Sequence, residues 1–451
     1  MIRPTTTRIS LPAGMHAERN PPSIAATGLP RKDILIGTNK NESHSYGVFA
    51  KTVENNRRVA IDQYETHVAS LFGFMGKGKS NSINVWLENC TTSVPNASCH
   101  KRPHCAVVFH YVKERVYRPE AISITRPQSG EWGDRLQKEW GITPSANHDV
   151  VILAPNPVLE ERRAEYEADH VQVQPLFMSL QECTASHVRM MMGATGTSLL
   201  VRVMNMIIRQ IKLDNEQRKK NGQPLRELSL DAIESEIQKS GMSEFEIREA
   251  QLRIQMARGF IDAQAPGILQ YMRPGRVIIV DLRDETLFEE DAFALMVVIM
   301  QVLSEATINV NGITRPMTKT FFFDEAHGYI RETPQSRELL EVIECAARTR
   351  RHRAVSLVFA SQDPGTFPTL FLQLSDIVGI HGFNSRQWLE RIQHVLTPFA
   401  HMEPHQMAEL TKGQMYLWSA EASEPVYTHK PHLVLVRPSA CAFGGGTVTA
   451  D

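Results

Sequence analysis

The stretch HVASLFGFMGKGKSNSINVWLENC, residues 67–90, decides how this chain is read. Its apolar opening, HVASLFGF, runs into glycines, the pattern of a short buried strand that ends in a tight loop. Within it GFMGKGKS, residues 73–80, fits G-x-x-x-x-G-K-[ST] at every fixed position. Beyond the loop, Ile83, Trp86 and Leu87 recur at helical spacing, so the loop joins a strand to a helix. That context gives the motif a mechanism. Gly73, Gly76 and Gly78 let the backbone curl until its N–H groups converge on phosphate oxygens at the positive end of the helix. Lys79 reaches the terminal phosphates and the Ser80 hydroxyl ligates Mg2+, with Lys77 and Asn81 completing the candidate cofactor-binding set. The expected cofactors are ATP and Mg2+.

Hydrolysis needs a second element, an acidic group at the end of another buried strand. KTFFFDEAH, residues 319–327, supplies it, because three consecutive phenylalanines are too apolar for a surface loop. Asp324 is the candidate metal ligand beside Ser80, and Glu325 the group that polarises the attacking water. A third strand, AVSLVFASQ, ends in Gln362, placed to sense the γ-phosphate or orient water, although an ordinary turn hydrogen bond explains a glutamine there equally well. Between the acidic and glutamine strands lies RTRRHR, with Arg348, Arg350, Arg351 and Arg353. Favourable charge at a helix C-terminus explains one or two of these. Four in six residues point to an arginine finger acting on a neighbouring subunit, or to DNA phosphate.

Composition bounds the rest. The 451 residues carry 49 Lys plus Arg against 50 Asp plus Glu, a formal charge of −1, so no strongly basic surface announces a nucleic-acid protein, though a local basic stripe remains compatible. Six cysteines are too few for a disulfide scaffold, and the N-terminus lacks an apolar leader, so a cytoplasmic protein with reduced thiols is expected. The longest apolar run, AFALMVVIMQVL at 292–303, falls short of the ~20 residues a bilayer span needs, and no membrane insertion is expected. CHKRPHC at 99–105 gathers two Cys and two His, but adjacent ligands fit one tetrahedral zinc poorly and incidental composition is the better reading. Met190 to Met192, Met204 and Met206 read as core filler.

The alternation of strands and helices predicts an α/β fold, a RecA-like core with a mostly parallel sheet, carrying a helical insertion and a small N-terminal β-hairpin. The divisions are a disordered arm at 1–33, a hairpin segment at 34–66, the first part of the core at 67–184, the insertion at 185–262, the second part at 263–437, and a disordered tail at 438–451. Ile34–Ile36 is expected to pair with 46–53, AISIT at 121–125 to form a strand, and the charged run 213–229 to be a linker. DEAH suggests a two-lobed helicase, yet the chain after Asp324 is too short for a second lobe, so one inserted core is the better fit.

These patches together resemble the HerA and FtsK-type motor ATPases. HVASLFGFMGKGKSN is similar to their phosphate-loop segment, RPGRVIIVDL to the strand before their long helix, FFFDEAH to their acidic strand, ASQDPGTFP to their glutamine sensor, and LTKGQMYLWSA to a strand near the end of HerA proteins. The similarity runs from about residue 34 to 436, and type IV secretion ATPases share the same core. The resemblance implies a homo-hexameric ring that drives double-stranded DNA through its pore with Mg-ATP, working with a nuclease or defence effector. It also implies the roles given above for Gly78, Lys79, Ser80, Asp324, Glu325, Gln362 and an arginine among 348–353. An ATP-switched scaffold of an antiviral complex, or a soluble ATPase of conjugation or secretion, are the alternatives. Two departures touch partner docking more than ATP: the N-terminal barrel of HerA proteins is reduced here, and VVFHYVKE replaces an Asp-x-x-Gly-Glu-Tyr-like segment.

Overall fold

The strands that read as near-continuous apolar runs are the ones buried on both faces. Val68–Phe72, Cys105–His110, Val150–Ala154, Val277–Asp281, Lys319–Phe323, Val355–Ser361 and Ile377–His381 contain only buried residues. The computed structural model describes residues 29–112, 117–180, 182–193, 199–224, 229–262 and 265–442.

One large sheet organises them. Its strands lie in the order Ile34–Ile36, Arg58–Asp62, Tyr46–Thr52, His432–Val436, Gln414–Ser419, Ile377–His381, Val68–Phe72, Val355–Ser361, Lys319–Phe323, Cys105–His110, Val277–Asp281, Val150–Ala154 and Gln172–Pro175. From Ile377–His381 to Gln172–Pro175 every neighbouring pair is parallel. Gln414–Ser419, His432–Val436, Tyr46–Thr52 and Arg58–Asp62 then follow antiparallel. This is the α/β, RecA-like architecture expected from the sequence.

The period of two along each strand sends alternate residues to opposite cores. Phe321 and Phe323 enter one core with Phe109 and Phe359, while Phe322 enters the other with Val108 and Val358. Helices Glu289–Ser304 and Arg337–Arg353 cover the first face, and helix Lys79–Thr91 covers the second. Among the described residues of 185–262 the helices are Ala185–Met191, Leu199–Lys220, Leu230–Gln238 and Glu244–Arg258. Met178–Ser179 pairs in parallel with Ile261–Asp262 where the chain enters and leaves that block. Met191, Met192 and Met204 are buried in the first core, Met190 packs against it, and Met206 is exposed.

Several local expectations are corrected. Residues 213–220 continue the helix Leu199–Lys220 and are not linker, because Glu, Gln, Lys and Arg are good helix formers even without an apolar face. Glu120–Thr125 is a 3-10 helix, not a strand. Tyr46–Thr52 forms its hairpin with Arg58–Asp62, and Ile34–Ile36 adds to that strand in parallel. Ordered structure also reaches further toward both termini than expected. The Asp33 amide bonds the Arg58 carbonyl, and Tyr46 donates to the Pro30 carbonyl at 2.7 Å. Ser439, Ala440 and Cys441 are buried against helix Lys79–Thr91, so they are no disordered tail. Residues 1–28 and 443–451 lie outside the described residues. Among the described residues no helix is long and apolar enough to cross a membrane.

Candidate nucleotide site

The phosphate loop leaves strand Val68–Phe72 and enters helix Lys79–Thr91 with Gly78 at its N-cap. Gly76 and Gly78 take φ of +78° and +115°, where any side chain is strained. Gly73 is required by space instead, since a Cβ there would lie 2.6 Å from Cβ of His381. Outside the loop, segment 410–413 clasps it. The Gly413 amide donates to the Lys77 carbonyl at 3.0 Å, and Nζ of Lys77 donates to the Leu410 carbonyl at 2.9 Å. The Lys77 amine therefore braces the loop. Asn81 acts similarly, bonding the Arg437 carbonyl at 2.9 Å and the Ser439 amide at 3.0 Å. His381 fixes the base of the helix through Ser82 at 2.9 Å, and burial pushes its pKa down to about 4, so it is neutral near pH 7.

The glutamine strand lies between the phosphate-loop strand and the acidic strand, and all three are parallel. Their carboxyl ends therefore open on one edge of the sheet, where the sequence-predicted groups meet. Nζ of Lys79 lies 3.3 and 3.2 Å from the two oxygens of Glu325. Nε2 of Gln362 donates to the same two oxygens, each at 3.1 Å. Nδ1 of His327 stands 3.2 Å from Oε2. Burial by itself would raise the Glu325 pKa, but His327, Lys79 and Gln362 outweigh it and hold the carboxylate down to about 2. Glu325 also has φ +47°, uncommon for a residue with a side chain, as the chain turns from the strand into Ala326–Gly328.

Asp324 is 7% exposed, and burial followed by the Glu325 charge raises its pKa. Glu120, which the sequence reading passed over, sits beside these groups. It opens the turn Glu120–Thr125, and its carboxylate lies beside the Ser80 hydroxyl. Burial first, and the Asp324 charge second, raise its pKa to about 7. No local pattern singles it out, since Glu114 lies nearer the end of the same strand in sequence. Ser80, Asp324 and Glu120 present oxygen donors, the kind that Mg2+ takes.

The four arginines lie elsewhere. They close helix Arg337–Arg353, before strand Val355–Ser361, while Gln362 follows that strand's other end. A seven-residue strand separates the two by roughly 20 Å. Arg350 bonds Asp376 at 2.9 Å, Arg348 pairs with Glu344, Arg353 pairs with Glu305, and Arg351 is exposed. In the Cys/His cluster, the two ring nitrogens of His104 are taken by Thr320 and the Gln63 carbonyl, each at 2.8 Å. Among the described residues no group of three or more His, Cys, Asp or Glu is arranged to hold a metal.

No family model matches the chain, and no curated protein matches its sequence. Among solved structures, VirB4 of Thermoanaerobacter pseudethanolicus is similar with a TM-score of 0.49 at 11% identity, over 88% of this chain and 97% of that one. A bacterial conjugative coupling protein, TrwB, gives 0.46 at 10% identity over 90% and 94%. The genome packaging NTPase B204 from Sulfolobus turreted icosahedral virus 2, solved with ATP-gammaS, gives 0.25 at 14% over 37% and 71%.

Proposed function

We propose that this chain is an Mg-ATP-hydrolysing motor of the HerA/FtsK/VirB4 kind, acting as a ring on double-stranded DNA. The observation that carries the ATPase reading is the convergence of Lys79, Glu325 and Gln362, from three separate strand ends, on one point beside the phosphate loop.

Glu325 is the counter-ion of Lys79. An incoming γ-phosphate competes for that amine, because charge-assisted bonds to phosphate are strong. Glu325 is then free to orient water, with Gln362 between the two as the group that registers which partner Lys79 holds. Mg2+ bound with the nucleotide would be held by Ser80 and Asp324 and would neutralise developing charge. Lys77 and Asn81 keep the loop in shape. Arg348 to Arg353 lie far from Lys79, Glu325 and Gln362 in the same chain, so within the proposed ring an arginine from this cluster would act on the site of a neighbouring subunit. The exposed Arg351 is the candidate.

The test is phosphate release by the full chain with Mg2+, with and without duplex DNA. Glu325→Gln is expected to keep ATP binding and slow turnover about a hundredfold or more. Duplex DNA is expected to stimulate the wild type and to leave Glu325→Gln silent. Hydrolysis with no response to DNA would remove the translocase and keep the ATPase.

A further inference from the structure

The proposed nucleotide site contains one more carboxylate than the sequence motifs require. Glu120 is held in place from two sides. Asn84, one helical turn beyond Ser80 on the same face of helix Lys79–Thr91, donates to Oγ of Ser123 at 3.2 Å. Oγ of Ser123 in turn donates to the Glu120 carbonyl at 2.8 Å. The residues after the turn are fastened to the C-terminal segment, where the Ala442 amide bonds the Arg126 carbonyl and the Gln128 amide bonds the Ala440 carbonyl. That same segment is seated on the phosphate-loop helix through Glu88 and Asn81. The helix that presents Ser80 and the turn that presents Glu120 are thus one braced unit.

The charges do not balance within that unit. Glu120, Asp324 and Glu325 face a single lysine, and Lys79 is already bonded to Glu325. The nearest arginine in sequence, Arg118, is directed to Asp169 and Glu165. Two partly or fully buried acids sharing a site are unfavourable unless a cation joins them. The phosphates of a nucleotide add more negative charge to the same place.

We infer that Glu120 is a positioning residue for the divalent cation, completing with Ser80 and Asp324 a three-oxygen face that receives the Mg2+ of Mg-ATP. This rests on the nucleotide reading of the site. Both groups would turn their oxygens to the ion or to its bound water. Glu120 would thereby couple the ion to the C-terminal segment, which no motif in the phosphate loop provides.

The test titrates Mn2+, followed by electron paramagnetic resonance, into the full chain with the non-hydrolysable analogue AMPPNP, comparing wild type with Glu120→Gln. Analogue binding in EDTA is measured alongside. Glu120→Gln is expected to weaken Mn2+ binding about ten- to a hundredfold while leaving metal-free analogue binding and the circular dichroism spectrum unchanged. Unchanged Mn2+ affinity would overturn the inference, whether or not turnover falls, because a water-activating or purely structural glutamate leaves the ion in place. Wild-type protein that binds neither analogue nor Mn2+ with analogue would overturn the nucleotide reading itself. Should Glu120→Gln misfold, Glu120→Asp provides the same comparison, with a smaller loss of Mn2+ affinity expected.

Discussion

Glu325 is the residue on which Lys79, Gln362 and His327 converge. Its left-handed backbone, its contacts with Lys79 and Gln362, and its depressed pKa describe a carboxylate kept ionised as the counter-ion of Lys79. Gln362 donates to both its oxygens, and a hydrogen bond to a charged group is worth about 1.5–3 kcal/mol. Gln362→Ala is therefore expected to lower turnover roughly tenfold to a hundredfold with ATP affinity nearly unchanged. Steady-state kinetics separate the two, and a rise in KM without a fall in kcat would contradict the sensor role. The glycines, Lys79, Ser80, Asp324 and Glu325 were legible because the phosphate loop and the acidic strand are local patterns. Glu120 was not, since only the tertiary bond from Asn84 to Ser123 turns its segment toward Ser80. The alternation in AISIT pointed to a strand, and packing against helix Lys79–Thr91 won.

Among the elements, the C-terminal segment behaves as a strap across the phosphate-loop helix. Arg437 and Glu88 are both fully buried, with Nη1 of Arg437 2.5 Å from Oε1 of Glu88. Arg437 also donates to the Val48 carbonyl at 2.7 Å and to Asn89 at 2.9 Å. Breaking one side of a buried pair typically costs about 3–5 kcal/mol, because the other charge is left without its partner. Arg437→Met is expected to lower unfolding stability by about that amount in urea, and Glu88→Gln in the same chain to recover part of it. A loss below about 1 kcal/mol would show that the strap is not a clamp. Composition alone gave no sign of this element: a stretch rich in Ser, Ala and Gly shows no periodicity, and its order comes from backbone amides of Ala440 and Cys441 bonded to Glu88. The run after Leu213 carried a helix without an amphipathic stripe, so it too escaped a pattern-based reading.

For the whole molecule, the strand order is what turns separate motifs into one site, by setting the Gln362 strand between the strands of Lys79 and Glu325. The near-neutral charge gave no hint of that arrangement. Burial of histidines has a global consequence as well. His104 is fully buried, and burial, opposed by its bond to the Gln63 carbonyl, pushes its pKa down to about 4 from an ordinary value of 6.5. Between pH 6.5 and 4 the unfolded chain binds a proton that the folded chain refuses at His104. Its contribution to stability is present above that window and is lost as the pH falls through it, by up to about 1.4 kcal/mol per pH unit. His104→Gln is expected to flatten the stability–pH slope by that amount in urea titrations at pH 4.5 to 7, and an unchanged slope would contradict the assignment. The most direct test of the central claim pairs Mg-ATP binding with phosphate release for wild type, Lys79→Ala and Glu325→Gln. The wild type is expected to bind and hydrolyse, Lys79→Ala to lose binding, and Glu325→Gln to bind without turning over. Full hydrolysis by Glu325→Gln, or none by the wild type, would contradict it.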